Sequence, residues 1–553
     1  MKINLIQTKL LTVLSVALLS CLCAVAQQTP HLQTNGKATQ LMVNGKPFIV
    51  LGGELYNSSS SNLSYLDPLW APLKKMNLNT ALVAVSWELV EPVEGKFDFT
   101  LVDGILKGAR EHNMHVVLLW FGSWKNGLSH YTPGWVKRNS KKFPRIVLEN
   151  GQSTETISAL SQEAAKADAT AFAALMKHVK TVDEAEKTVI MVQVENEVGV
   201  IGSTRDHSAM ANAEFNKPVP VSLMNSLVKF KNELQSSFKK QWELGGSKRS
   251  GTWAEVFKDN MFADEAFMAW HYGNYINTVA KAGKAEYNLP MFINTWVVQP
   301  EDKRPGDYPA GGPQAHVHDI YRAAAPLIDI KAPDIYLPDF RGITGLYHHP
   351  WNPLFIPESF SGDDGAANAF FIIGQRNGIG YSPFGIDKKE NDPAQTPISK
   401  AYDVLNQLTP DILAAQAKGA IRAFILNKPD SVQSFDLGGY HVTVTLKTNW
   451  KGVTLASKGY GLIISSGADE FTVAGSNVNV SFVPATEGLA KAGLESATVG
   501  TFINGSWIAG RVLNGDEVMI SYELASQAAK NKTGTGVKFD AAPAIQKVKL
   551  YRF

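Results

Sequence analysis

Two glutamates end apolar stretches of the chain, where a carboxyl group could do acid–base chemistry. Glu197 ends the run 188-TVIMVQVENE-197, and Glu358 lies in 354-LFIPESFSG-362. Two carboxyl groups facing one pocket can cleave a glycosidic bond, because one protonates the leaving oxygen while the other attacks the anomeric carbon or activates water. Apolar surroundings keep the first protonated, and hydrogen bonds keep the second ionised. Taken alone, each glutamate is better explained as a capping or ion-pairing residue.

A repeating strand–helix pattern between about residues 45 and 415 would bring the two glutamates together. Short apolar runs with little polar alternation indicate strands buried on both faces, at 47–55, 80–87, 115–122, 188–197, 290–296, 333–337, 353–359 and 379–385. Helical patterns lie between most of them, at 64–77, 100–113, 161–182 and 398–408 for example. The pattern predicts an α/β fold, a (β/α)8 TIM barrel, whose strands all end at one face. Strand counting leaves a doubly wound sheet open as the alternative.

From about residue 418 the pattern changes to short alternating segments, separated by turn signals such as Asn504-Gly505. We therefore predict a catalytic barrel over 27–416 and an all-β accessory domain over 417–553. The accessory domain could bind glycan or buttress the barrel, and we expect the second role.

Residues 1–26 have the features of a secretory signal peptide, with an apolar run and the small-x-small cleavage site Ala24-Val25-Ala26. The run is short for a membrane anchor. Lipidation at Cys21 is the main alternative to simple cleavage, because Leu18-Leu19-Ser20-Cys21 loosely resembles a lipobox. Cys21 and Cys23 are the 2 cysteines of the chain. We expect an exported protein without a membrane span, periplasmic or associated with the cell envelope.

Composition argues against several other functions. The 53 basic and 51 acidic residues nearly balance, which gives no support for nucleic-acid binding. The adjacent pair His348-His349 has no third metal ligand at a suitable spacing, and no phosphate-binding loop or Gly-x-Ser-x-Gly elbow is present. We expect no metal and no cofactor.

The barrel resembles a known group of glycosidases. Asn-Glu at the end of the fourth strand, with a lone glutamate at the end of the seventh, resembles the pattern of the large (β/α)8 glycosidase clan. The segment 193-QVENEVG-199 is similar to the signature of glycoside hydrolase family 35, the β-galactosidases, as are 51-LGGEL-55 and the Trp87…Glu91-Pro92 segment. The β domain resembles the appendage of a bacterial branch that includes xyloglucan-active enzymes.

This resemblance implies a mechanism and an activity. The family is retaining, so Glu197 would be the acid/base and Glu358 the nucleophile, with carboxyl groups about 5–5.5 Å apart. Asn196 would hold the sugar 2-hydroxyl. The implied activity is that of an exo-β-galactosidase that removes terminal β-galactosyl residues from plant-polysaccharide oligosaccharides such as xyloglucan side chains.

Glu195 lies close to the implied pair, and strand periodicity alone cannot separate it from Glu197, because residues two apart share a face. The Asn-Glu order selects Glu197. Glu195 is then a structural acid, which needs a cation or a backbone donor as its partner.

The residues that would recognise the sugar depart from the family-35 pattern. The usual Trp-Asn-x-His-Glu-Pro is 87-WELVEP-92, Ala84 stands where tyrosine is usual, and Ser123-Trp124 replaces the usual Glu-Trp. Besides Asn196, our candidate substrate-binding residues are Tyr336, Glu54, Glu91, Trp124, Asn126 and Trp296. Packing or ion pairing explains each of these six about equally well, and Tyr336 is the strongest.

Two other functions stay open. Another glycosidase of the same clan would share the acid pair; an open aromatic groove would favour endo action, and a closed pocket exo action. A carbohydrate-binding protein without catalysis is the alternative from another class, and the presence of both Glu197 and Glu358 argues against it. The binding partner is an oligosaccharide in every case, and the sequence does not predict the oligomeric state.

Overall fold

The computed structural model describes residues 29–258, 260–448, 453–485, 491–519 and 534–553. The predicted signal peptide, Cys21 and Cys23 lie outside these residues. Within the described part of the chain, no helix is long and apolar enough to cross a membrane.

Eight parallel strands form the predicted barrel. Numbered in chain order, barrel strands one to eight are Val50–Glu54, Thr80–Ser86, His115–Phe121, Val189–Val194, Met291–Trp296, Ile330–Asp334, Phe355–Ile356 and Gly380–Tyr381. Strand eight pairs with strand one, and a bridge between Ile335 and Ser359 joins the ends of strands six and seven. The ring is therefore closed, which confirms the TIM barrel and excludes the doubly wound sheet.

Helices lie between the strands and cover the outside of the barrel. The helices of ten or more residues are Thr100–Glu111, Gln162–Asp183, Met261–Glu286, Gly362–Gln375 and Pro397–Lys418. Shorter ones are Leu63–Leu66, Trp70–Lys75, Trp87–Val90, Gly134–Lys137, Ala209–Phe215, Val221–Lys229, Ser236–Leu244, Trp253–Phe257, His318–Ala324 and Phe340–Tyr347. The helix predicted at 64–77 is interrupted by a 3-10 turn, Asp67–Leu69, at Pro68, which lacks an N–H donor. The last helix runs beyond its predicted end at 408, to Lys418.

The barrel interior is filled by alternate side chains of its strands, among them Leu82, Leu119 and Phe292. A three-stranded sheet, His31–Asn35, Ala38–Val43 and Lys46–Phe48, precedes the barrel. Its Leu41 packs into the same interior cluster, and its Phe48 contacts His115, the first residue of strand three. This sheet therefore covers the amino-terminal end of the barrel.

Two antiparallel sheets form the predicted β domain. One contains Ile421–Asn427, Lys458–Gly467, Glu470–Ser476, Ala492–Ile503, Ser506–Leu513 and Ala544–Arg552. The other contains Val432–Leu437, Tyr440–Leu446, Val478–Pro484, Val518–Met519 and Thr535–Lys538. Between Glu470–Ser476 and Val478–Pro484 the chain passes from one sheet to the other at Asn477, whose φ is +56°.

The first of these sheets packs on the barrel. Ala423 and Leu462 belong to the same buried cluster as the barrel helices. The ring of Phe370, in helix Gly362–Gln375, lies 5.2 Å from that of Tyr460. An apolar interface thus joins this sheet to the barrel helices, while the interior of the β domain forms a cluster of its own.

Candidate active site

Four barrel strands bring an acidic side chain to the carboxyl-terminal end of the barrel. Glu54 and Asp334 end strands one and six, and Glu197 and Glu358 follow strands four and seven. Carboxylate oxygens of Glu197, Asp334 and Glu358 lie within 4.8 Å of one another. The pKa of buried Glu54 is raised well above 4.5, by burial and then by the charge of Glu358. The structure therefore brings the two predicted catalytic glutamates together.

The Glu358 carboxyl group is oriented by Tyr336. The Tyr336 hydroxyl donates to Glu358 Oε1 at 2.9 Å, whereas Oε2 is buried without a protein partner. Burial, and then the charge of Glu358, raises the pKa of the Tyr336 hydroxyl. The hydroxyl therefore keeps its proton and holds one oxygen of Glu358, which leaves the other oxygen able to react.

Glu197 is buried at the turn that follows strand four. Its backbone N–H donates to Asn294 Oδ1 at 2.9 Å, and its φ is +43°. Such a left-handed conformation costs a non-glycine residue about 1–3 kcal/mol. Burial, and then the charge of Glu358, raises the pKa of Glu197 from 4.5 to about 7, although Lys125 opposes this shift. At neutral pH this carboxyl group can therefore both donate and accept a proton.

Asp334 and Asn294, which our sequence analysis missed, connect Glu197 to strands five and six. Asn294 Nδ2 donates to Asp334 Oδ2 at 2.7 Å. Burial, and then the charges of Glu358 and Glu197, raises the pKa of Asp334 well above 3.8. Protonated Asp334 can then donate a hydrogen bond to Glu197, which lowers the pKa of Glu197. Asp334 could have been recognised from the sequence, because its carboxyl group lies in the apolar run 333-PDIYL-337, where an unpaired charge is costly.

Lys125, in the turn after strand three, was also missed. Burial would lower the pKa of Lys125, but the charges of Glu358, Glu54 and Glu197 outweigh it and raise that pKa. Lys125 therefore stays charged and offsets part of the negative charge of the acids. Lys125 could have been recognised because it closely follows a buried strand and lies between Trp124 and Asn126, two candidate substrate-binding residues.

The side chain of Asn196 lies buried beside Glu197. Neither its Oδ1 nor its Nδ2 has a protein partner, and a buried amide without partners is costly. Its backbone N–H donates to the carbonyl of Trp124 at 3.2 Å. The amide can thus hold a ligand hydroxyl, which both donates and accepts hydrogen bonds.

Glu195 does not share the pocket with Glu197, because the strand has ended and both residues have positive φ, +62° and +43°. Glu195 Oε2 accepts the backbone N–H of Trp124 at 2.8 Å, as expected of a structural acid with a backbone donor. Its other neighbour is Asp168, on helix Gln162–Asp183. Burial, and then the charge of Asp168, raises the pKa of Glu195 well above 4.5, so Glu195 tends to keep its proton.

Gly122 makes room for this acid pair. A Cβ at Gly122 would lie 2.6 Å from Glu195 Oε1 and 2.8 Å from Asp168 Oδ1. Asp168 also accepts the Trp120 indole N–H at 2.8 Å. The pair is therefore fixed between strand three and the helix outside it.

Two of the predicted substrate-binding residues have structural partners. Trp124 is fully buried and packs edge-on against Tyr272 and Tyr275, at 5.0 and 4.5 Å. Buried Glu91 accepts the Trp87 indole N–H at 2.8 Å and the Gly95 backbone N–H at 2.7 Å. Packing, the alternative stated for Trp124, accounts for that residue. Glu91 is held by neutral hydrogen-bond donors and not by the ion pair stated as its alternative.

Asn126 and Trp296 are half-buried at the carboxyl-terminal side of strands three and five. Asn126 has a φ of +53°, and its Oδ1 is buried without a protein partner. Both therefore stay candidates for contact with substrate.

Within the residues that the structure describes, one group of acids has oxygens close enough to share a cation. It consists of Glu197, Asp334 and Glu358. Lys125 and shared protons already offset their charge. The absence of a metal and of a cofactor stays a prediction.

Comparisons with known proteins find partial sequence matches to β-galactosidases. Residues 64–258 match the Glyco_hydro_42 family model, described as Beta-galactosidase, and residues 398–524 match a domain of unknown function, DUF5597. A β-galactosidase of Xanthomonas manihotis is 29% identical over 210 residues, which are 36% of this chain and 31% of that protein. The match thus spans about a third of the length of the curated relative.

Part of the barrel is therefore similar to β-galactosidases. The segment that matches the family model contains Glu197 and begins before strand two. The matching model is that of family 42, and the closer resemblance to family 35 stays a prediction. The DUF5597 match includes helix Pro397–Lys418 together with strands of the β domain, which agrees with the apolar interface between them.

Solved structures of glycosidases are similar at low sequence identity. A β-galactosidase from Bacillus circulans sp. alkalophilus has a TM-score of 0.44 and 14% identity, covering 66% of this chain and 57% of that one. A β-mannanase from the blue mussel Mytilus edulis has a TM-score of 0.39 and 14% identity, covering 68% and 97%.

Proposed function

We propose that the chain is an exported, retaining exo-β-galactosidase that removes terminal β-galactosyl residues from plant-polysaccharide oligosaccharides such as xyloglucan side chains. The observation that carries the proposal is the pair Glu197 and Glu358, whose nearest carboxylate oxygens lie within 4.8 Å. That separation supports retention, for which the carboxyl groups lie about 5–5.5 Å apart, against about 6.5–9.5 Å for inversion.

In the first step, Glu358 Oε2 attacks the anomeric carbon. The bond from that carbon to the leaving oxygen breaks, and Glu197 gives its proton to the leaving oxygen. Tyr336 holds Oε1 and so directs Oε2 at the sugar. Asn196 binds the 2-hydroxyl, a contact that strengthens as positive charge develops on the ring.

In the second step, Glu197 acts as a base. The ester removes the charge of Glu358, which is one cause of the raised pKa of Glu197, so that pKa falls and Glu197 accepts a proton from water. The water oxygen bonds to the anomeric carbon and the ester bond to Glu358 breaks. Galactose leaves with its original configuration, and both carboxyl groups return to their starting states.

The two glutamates are 6% and 7% exposed, so little of either side chain is open to solvent. Exo action rests on the family-35 resemblance. The xyloglucan substrate rests on the family-35 resemblance and on that of the β domain. Export rests on the apolar amino-terminal segment.

A panel of nitrophenyl glycosides tests the proposal. The galactoside, glucoside, arabinoside and fucoside are assayed with wild type, Glu197→Gln and Glu358→Ala. We expect the galactoside to be the best substrate and Glu358→Ala to retain only background turnover. Glu197→Gln should lose about 10²–10⁴-fold in kcat on substrates with a sugar leaving group. The loss should be smaller for nitrophenyl, which leaves with little protonation.

Each part of the proposal can fail separately in this panel. No turnover of any β-glycoside by wild type would rule out exo-glycosidase action. Near-normal turnover by Glu358→Ala would rule out the nucleophile. A proton NMR spectrum taken during the reaction tests retention: β-galactose should appear first, and α-galactose appearing first would contradict it.

A further inference from the structure

The turn after strand three brings a buried ammonium group to the catalytic acids. Lys125 is 6% exposed, and its ammonium lies 5.2 Å from the centre of the Phe121 ring. Phe121 is the last residue of strand three and belongs to the cluster that fills the barrel interior. The ammonium therefore lies over the carboxyl-terminal end of that interior, on the same side as Glu197 and Glu358.

The Lys125 ammonium has charged neighbours but no direct partner. The carboxyl groups of Glu358 and Glu54 lie close enough to interact with its charge. Within the part of the chain that the structure describes, however, its Nζ donates no hydrogen bond and forms no ion pair, whereas buried Lys331 donates to the Ile328 carbonyl at 2.8 Å. A buried charge without hydrogen-bond partners is costly, so the donors of this ammonium are available to a ligand.

The two side chains that precede Lys125 in the turn are held by the protein. The Ser123 and Tyr275 hydroxyls lie 2.6 Å apart. Trp124 is fully buried, and its indole N–H donates to the Ile157 carbonyl at 3.1 Å. Lys125 is therefore the buried donor that this turn offers to the pocket.

Lys125 is adjacent to Asn196 across the gap between strands three and four. The Asn196 backbone N–H donates to the carbonyl of Trp124, the residue before Lys125, at 3.2 Å. Both polar atoms of the Asn196 side chain are buried without a protein partner. In a pyranose, neighbouring carbons carry the 2- and 3-hydroxyls. A sugar whose 2-hydroxyl is bound by Asn196 can therefore present its 3-hydroxyl to Lys125.

We propose that Lys125 determines sugar specificity, and that its ammonium donates a hydrogen bond to the 3-hydroxyl of the terminal sugar. The inference rests on the proposed function, in which Asn196 binds the 2-hydroxyl. The 3-hydroxyl accepts from the ammonium and has a proton of its own to donate to a nearby carboxylate. The ligand thus completes a contact between opposite charges that the protein leaves open. A terminal sugar that carries a further substituent at O3 is therefore excluded.

Nitrophenyl β-galactoside and its 3-deoxy analogue test this contact in wild type and in Lys125→Met. Wild type should hydrolyse the 3-deoxy compound with a kcat/KM roughly 10–100-fold lower, the effect of a hydrogen bond to a charged group. Lys125→Met lacks the donor, so the difference should shrink to about threefold or less. Because each variant is compared with itself on two substrates, a changed pKa of Glu197 or a loss of folded enzyme cancels.

Lys187→Met is the matched control. Lys187 is 1% exposed and its Nζ is also buried without a partner, but it precedes strand four, at the amino-terminal end of the barrel. This variant should discriminate against the 3-deoxy compound as wild type does. Nitrophenyl β-D-fucoside, the 6-deoxy compound, is the control substrate, and Lys125→Met should affect it as much as the galactoside.

Lys125→Gln protects the test against misfolding of Lys125→Met. Its amide is neutral and shorter, so it should likewise discriminate less than wild type. Equal kcat/KM of wild type on the galactoside and the 3-deoxy compound would overturn the inference without any variant. Undiminished discrimination in the Lys125 variants, or a diminished effect of the 6-deoxy change alone, would also overturn it. Absence of wild-type turnover of the galactoside would instead overturn the proposed function itself.

Discussion

The active site concentrates more negative charge than a buried pocket can hold fully ionised. Glu54, Glu197, Asp334 and Glu358 face one lysine, Lys125, and like charges this close cannot all lose their protons. Protons therefore remain on the acids that lie deepest. In the proposed reaction, Glu197 accordingly keeps a proton near neutral pH, and Glu358, held by Tyr336, supplies the reacting oxygen.

The pH dependence of catalysis follows from the pKa of Glu197. First-step catalysis needs protonated Glu197, so we expect kcat/KM to decrease as the pH rises through about 7. Asp334→Ala removes a hydrogen bond that lowers this pKa, and a hydrogen bond of about 1 kcal/mol corresponds to about 0.7 pH unit. In Asp334→Ala, the decrease of kcat/KM at basic pH should therefore occur at a pH roughly 0.5–1 unit higher than in wild type.

Asp334→Asn is the control for this shift. Its amide can still donate to Glu197 and accept from Asn294, so its basic limb should stay near that of wild type. If kcat/KM decreased at the same pH in wild type and in Asp334→Ala, this would contradict the contact between Asp334 and Glu197.

At the scale of elements, the end of strand four separates two acids that simple alternation would leave together. Positive φ at both Glu195 and Glu197 turns one acid outward, to Asp168, and the other into the pocket. The outward pair ties strand four to helix Gln162–Asp183 and strand three. Backbone strain at this turn thus fixes the direction of the catalytic carboxyl group.

The Glu195–Asp168 pair predicts a stability that depends on pH. The folded-state pKa of Glu195 is raised, so its contribution is fully present below the unfolded value, near 4.5, and is lost as the pH rises through the folded value. Glu195→Gln does not titrate. Its free energy of unfolding relative to wild type should therefore increase as the pH is raised from about 5 to 8.

Urea unfolding at several pH values measures this difference. Glu186→Gln, at an exposed glutamate, is the control and should show no trend. A difference between Glu195→Gln and wild type that stays constant with pH would mean that Glu195 is ionised in the folded protein.

The sequence predicted the barrel and the proximity of Glu197 and Glu358, but not the contacts between strands. Strands buried on both faces leave continuous apolar runs, and all eight were found, although strand six begins and ends three residues before its predicted range of 333–337. Asp334, Asn294 and Lys125 were missed because their roles depend on strand register and on turns distant in sequence. Ala492–Ile503 and Ser506–Leu513 were missed because many of their residues are only partly buried, which removes the alternation.

At the scale of the whole molecule, the β domain packs on the outer helices of the barrel. Gly374, in helix Gly362–Gln375, lies against Ala423 and Leu462 of the first antiparallel sheet, and a Cβ there would be 2.7 and 3.2 Å from their Cβ atoms. Such close approach of helix and sheet indicates a fixed support. This favours the buttress that we expected over a separate glycan-binding module.

Gly374→Leu tests the support. Overpacking this contact should destabilise the protein by about 1–3 kcal/mol or more, with a lower Tm, while kcat/KM of the folded enzyme at 25 °C stays near wild type. Val512→Ala, at a side chain 68% exposed on the same domain, should leave Tm unchanged. An unchanged Tm in Gly374→Leu would show that the two units are not joined through this contact.

The small sheet that covers the amino-terminal end of the barrel has a consequence for the order of events during turnover. With Leu41 packed into the interior from that side, substrate and products pass through the same mouth at the other end. In the proposed reaction the galactosyl residue enters first and deepest, and the leaving group lies between it and solvent. The leaving group must therefore depart before water can reach the ester, and galactose is the last molecule out. Free galactose would then compete directly with the next substrate.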